Sequence, residues 1–171
     1  MLSLSPQRGT TGSGESQGEG GLKFCHGPKD ERLGPFPIEV LAQLPAEALR
    51  AMVDFEVGIR GVGRLLWPGT TDVSEYASRM AEVVTFKPHG VDVFTNASVP
   101  RPAAGEGLNK RCHYTMCDVF AHDKYTGLLL TDSQSIDALC SQLINKAENM
   151  GARMLGYDSL SGEWTVEVSS F

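Results

Sequence analysis

The sequence predicts an α+β fold: a mostly antiparallel, sandwich-like β core of about six or seven strands, flanked by one long helix and two short ones. Three observations point there. Residues 162–171 read GEWTVEVSSF, with Trp164, Val166 and Val168 alternating with Thr165, Glu167 and Ser169. A period of two puts one apolar row and one polar row on opposite faces of a strand. Residues 133–150 repeat instead at three- and four-residue steps, through Ile136, Leu139, Cys140, Leu143, Ile144, Ala147 and Met150, so one helical face is apolar. Between the N-terminal third and that helix run short alternating segments broken by glycine and proline, the punctuation of strands and turns.

Composition narrows the function classes. The chain has 171 residues, 41% hydrophobic and 21% charged, enough for one domain of ordinary soluble composition. Its net charge of -6 argues against a nucleic-acid-binding face, which needs a surplus of Lys and Arg. No apolar run approaches the length of about 20 residues that spans a bilayer, so no membrane insertion is expected. The opening MLSLSPQRGTT has no apolar stretch of the kind a secretory signal carries.

In chain order, residues 1–22 are rich in Gly, Ser, Thr and Gln, too polar to offset the entropy of ordering. Residues 23–34 also read as loop, so 1–34 is expected to be a flexible leader and 35–171 the folded domain. Pro37 and Pro45 open two short helices, over 37–44 and 46–52, because a first helical position tolerates the missing N–H. Residues 53–59 alternate and predict a strand. Gly61 and Gly63 then mark a turn or bulge, and residues 64–67 a second strand closed by Pro68-Gly69. Further strands are expected over 80–86, 109–120 and 152–157, with an ordered loop over 91–107 and loop or edge strand over 121–131. The long helix starts at Asp132 or Ser133 and ends at Gly151. The last strand should lie inside the sheet with Trp164 and Val166 buried.

Chemistry is sparse on spacing alone. Gly58, Gly61 and Gly63 lack the GxxxxGK[ST] pattern of a phosphate loop and lead into a strand, so they read as glycines easing a hairpin. Cys112, His113 and Cys117 lack a CxxC pair, and no metal is expected. Cys25, Cys112, Cys117 and Cys140 read as reduced thiols. His26 and His89 read as loop residues and His113 as a surface residue; His122 beside Asp123 is the one pair that could orient an imidazole. Asp54 and Glu56 read as a solvated face. No cofactor is implied.

Four segments in order change this. DFEVGIRGVGRLLWPG at 54–69, GEGLNKR at 105–111, ENMGARMLGY at 148–157 and SGEWTVEVSSF at 161–171 resemble the nucleoporin autopeptidase family, the autoproteolytic C-terminal domain of the large FG-repeat nucleoporin. The resemblance covers roughly 36–171. Its most specific piece is Gly105, Glu106, Gly107, Leu108 and Asn109; the Gly58, Gly61, Gly63 turn and Trp164 add weight in register.

The resemblance implies a place in the nuclear pore complex, at the nuclear envelope. There the domain would dock onto other nucleoporins, notably a β-propeller scaffold nucleoporin, in support of protein and mRNA transport. In the family the barrier-forming repeats lie upstream; this sequence has no Phe-Gly dipeptide. The family cuts itself after the phenylalanine of a His-Phe-Ser motif: the serine attacks the preceding carbonyl while the histidine helps remove its proton. Phe171 matches the phenylalanine, whereas Ser170 stands at the histidine position, so no catalytic residue is expected and a docking module is the favoured reading. The alternative is an active autopeptidase cutting after Phe171 in a longer precursor; the sequence is instead expected to stop here, mimicking a processed end. A third reading keeps only the fold and binds something unrelated. Gly105 and Gly107 are expected to allow a backbone path on which a Cβ would clash.

Overall fold

A computed structural model of the chain describes residues 21–27, 36–88 and 90–171. Most of the expected leader over 1–34, and His89, lie outside the described residues. The elements in chain order are β1 (Lys23–Cys25), β2 (Phe36–Pro37), α1 (Ile38–Leu41), α2 (Ala46–Arg50), β3 (Met52–Ile59), β4 (Gly63–Thr71), α3 (Met80–Val83), β5 (Val84–Lys87), β6 (Gly90–Val93), β7 (Cys112–Met116), α4 (Ser133–Asn149), β8 (Arg153–Asp158) and β9 (Glu163–Val168). This is the α+β architecture the sequence predicts.

Seven strands form one antiparallel sheet in the order β2-β1-β3-β4-β7-β9-β8, and β5 and β6 pair separately. One face of the large sheet is apolar. Phe55 and Val57, Leu65 and Trp67, Cys112, Tyr114 and Met116, and Trp164 and Val166 are all buried. Leu41, Leu49, Leu139, Leu143 and Ala147 bring the helices into the same core. The alternate residues form a polar face. There Arg64 grips Glu163 through two hydrogen bonds of 2.7 and 2.9 Å, Thr115 and Thr165 share a hydroxyl contact of 2.9 Å, and Glu167 meets His113 and Arg153.

The last strand sits inside the sheet between β7 and β8, in register Tyr114↔Val166↔Met154. Helix α4 is capped as its sequence requires. The Asp132 carboxylate accepts from Ser135 N at 2.9 Å. At the other end Gly151 takes a φ of 69°, and the Ala152 and Gly151 amides close onto Ala147 and Glu148, the pattern a glycine C-terminus favours.

Several expectations need correction. Lys23–Cys25, expected as loop, pairs with both β2 and β3; three residues are too few to show a period. Residues 80–86, expected as a strand, divide into α3 and β5. Part of the 91–107 loop belongs to β6, and the 109–120 strand shrinks to β7. Pro68-Gly69 does not close β4. The chain passes through a bulge opposite Asp54, which takes a φ of 46° while its carboxylate accepts from Gly69 N at 2.7 Å. That side-chain bond substitutes for ladder bonds a proline-containing strand lacks. Asp54 and Glu56 are therefore not a simple solvated face; Glu56 also takes the Cys25 thiol at 3.2 Å. Ile144 on α4 and Met150 just past its end are exposed rather than core.

Candidate functional site

The residues 105–109 block is folded upon itself before it touches anything else. Gly105 and Gly107 adopt φ of 95° and 51°. The Gly105 amide donates to Asn109 O at 2.7 Å, and the Asn109 amide donates to Glu106 O at 2.9 Å. A Cβ added at Gly105 meets nothing within 4 Å, and one at Gly107 comes no closer than 3.5 Å to Pro102 Cγ. The expected clash is therefore corrected: left-handed backbone, not crowding, calls for glycine at these two positions.

The loop delivers two groups to the end of the last strand. Leu108 is fully buried, and its carbonyl accepts the Trp67 indole N–H at 2.9 Å. Asn109, also buried, donates its side-chain nitrogen to Pro102 O at 2.8 Å and accepts the Phe171 amide on Oδ1 at 2.7 Å. All four polar groups of Asn109 are thus engaged. The half-buried Phe171 ring leans on Trp67 with centroids 6.3 Å apart, and Trp67 stacks on Phe55 at 5.7 Å. The series continues through Phe24 to Phe36, so five rings cross the sheet.

Position 170 is an exposed serine. Among the described residues no histidine hydrogen-bonds to residues 169–171. His113 faces Glu167 at 3.2 Å, His122 lies 3.2 Å from Phe120 O, and His26 is exposed. His122 therefore makes no hydrogen bond to Asp123, whose carboxylate caps the turn at Tyr125 and Thr126 instead. Lys110, next to Asn109, donates to Thr70 O at 2.6 Å, and burial lowers its pKa. The Cys112 and Cys117 thiols are both pushed up by burial, which leaves little thiolate for nucleophilic chemistry. The described residues hold no group of three or more His, Cys, Asp or Glu side chains arranged for a metal.

The remaining singled-out residues serve elsewhere. Gly58, Gly61 and Gly63 build the β3–β4 hairpin, at the end of β4 away from Thr70. Gly61 has φ of 75°, and a Cβ at Gly58 would stand 2.6 Å from Gly63 O. Trp164 is core, with the Lys146 ammonium 5.6 Å from its ring. Sequence reasoning missed Trp67 as the partner of Phe171. The available signal was its apolar register with Leu65 and the adjacency of Leu108 to Asn109.

The family model described as Nucleoporin2, Nup98-96 autopeptidase S59, matches residues 35–171. The chain belongs to this family. Membership places it at the nuclear pore complex, as a nucleoporin-type domain. Nuclear pore complex protein NUP98A of Arabidopsis thaliana is 31% identical over 172 residues, covering 93% of this chain and 16% of that protein. Nucleoporin NUP100/NSP100 of Saccharomyces cerevisiae is 25% identical over 138 residues, 77% of this chain and 14% of that protein. The chain thus spans a small fraction of these relatives. In fold it is similar to the C-terminal domain of NUP116 from Candida glabrata, with a TM-score of 0.62 at 20% identity, covering 98% of both chains. It is also similar to a chain of the yeast heterotrimeric Nup82-Nup159-Nup116 nucleoporin complex, with a TM-score of 0.61 at 22% identity, covering 78% of this chain and 92% of that one.

Proposed function

We propose that the domain docks its protein onto the nuclear pore scaffold by binding other nucleoporins, a β-propeller nucleoporin among them, and that it does so without cutting itself after Phe171. In that role it supports protein and mRNA transport as an anchor. Family membership across residues 35–171 supports the docking role, as does the occurrence of a similarly folded chain in the Nup82-Nup159-Nup116 complex.

The observation that supports the second half is a serine at position 170, the place where the family resemblance puts the histidine. A serine hydroxyl takes up no proton near neutral pH, and removing a positioned general base typically costs about 10²–10⁴-fold in rate. The test is a chain extended past Phe171 by a serine-led tail. It should stay intact over long incubation, and Ser170→His in the same chain should restore cutting. Rapid cutting with Ser170 in place would refute the inactive reading. For docking, tagged domain should retain nucleoporins from a nuclear-envelope extract and label the nuclear rim; failure of both removes that role.

A second reading, an active autopeptidase in a longer chain, has one observation in its favour. The Phe171 amide is already fixed at 2.7 Å on Asn109, and a pre-positioned backbone is what intramolecular attack requires.

A further inference from the structure

We infer that the Trp67 indole selects an aromatic side chain at position 171, a specificity-determining role that rests on reading residue 171 as the family's scission position. The seat has two halves. Asn109 Oδ1 holds the backbone amide at 2.7 Å, and every residue except proline offers that same N–H, so this half does not discriminate. Selection falls to the side-chain half, where the Phe171 ring meets Trp67 at 6.3 Å and 55°.

The indole is a fixed wall. It is fully buried, its N–H is tied to Leu108 O at 2.9 Å, and Phe55 lies 5.7 Å away at 28°. Leu108 and Asn109 are consecutive, so one loop sets the wall and the backbone latch together. Tilted ring pairs at such separations gain more than their area alone provides. Leucine fills the volume without that gain, and alanine leaves the wall bare.

The test uses the full chain with Phe171, Phe171→Leu or Phe171→Ala, read by hydrogen exchange of the residue-171 amide. Leucine should exchange about three- to ten-fold faster than phenylalanine, and alanine faster still. Equal exchange for phenylalanine and leucine overturns the inference. In Trp67→Leu the phenylalanine-to-leucine ratio should fall to about one; should that core change prevent folding, the series on intact Trp67 decides. A second arm uses the extended chain carrying Ser170→His, whose cutting should follow the order Phe, Leu, Ala at position 171. Cutting indifferent to residue 171 also overturns selection. No cutting in any variant, with the exchange order kept, removes the scission reading and leaves the aromatic preference of the seat standing.

Discussion

Asn109 and Phe171 lie 62 residues apart in sequence, yet the side-chain oxygen of one stands 2.7 Å from the backbone nitrogen of the other. Asn109→Ala would leave the Phe171 amide and the Pro102 carbonyl without their partner. Leaving a buried polar group unsatisfied costs about 1–3 kcal/mol. Urea unfolding should show a loss in that range, with faster exchange at the Phe171 amide. Unchanged stability together with unchanged exchange would show that the latch is idle.

The two glycine clusters should respond differently to alanine. At Gly107 the penalty is conformational, from a φ of 51° with ordinary contacts around the added carbon; about 1–2 kcal/mol is expected for a left-handed alanine. At Gly58 the added carbon would stand 2.6 Å from Gly63 O and 2.8 Å from Arg64 Cβ, which the hairpin relieves only by moving backbone. Gly58→Ala should therefore cost more than Gly107→Ala. Thermal melts of the two variants decide, and the reverse order would disprove the distinction.

Val166 is fully buried between Tyr114 on β7 and Met154 on β8. Val166→Ala should destabilise the domain by about 1–3 kcal/mol, the lower part of the range for large-to-small core changes. A variant as stable as the parent would mean that this face is not core.

Acid stability should depend on Glu167. Its pKa lies below the ordinary 4.5, held down first by the hydrogen bond from Arg153 and then by His113, against burial. Because the folded value is the lower one, the group contributes fully above the unfolded value, and that contribution disappears as pH falls through the folded value. Glu167→Gln should flatten the stability–pH curve below about pH 4.5. Parallel curves for the two proteins would exclude Glu167 as a source of acid sensitivity.

Local signals were legible in the sequence where an element is long or strongly patterned. The alternation through Trp164, Val166 and Val168 and the helical recurrence of Leu139, Leu143 and Ala147 each found their buried face, apart from the half-buried Val168. Short or irregular elements were not legible. Lys23–Cys25 has three residues, and Val84–Lys87 follows directly on a four-residue helix in a run that reads as one strand. Partner choice was not legible either. Nothing in the pattern of β9 says that it enters between β7 and β8, because pairing depends on residues far away in the chain. For the candidate site, the sequence singled out both the 105–109 block and Phe171. Their union through Asn109, and the role of Trp67 beside it, depend on a fold that brings distant segments together.

The margins of the large sheet have a consequence for crowding. One is the two-residue β2, and the other is β8, whose register slips between Met154 and Gly156. A stub and a kink are poor templates for a further strand. Among the described residues, then, neither margin of the large sheet offers a long straight border along which a second copy of this domain could zip.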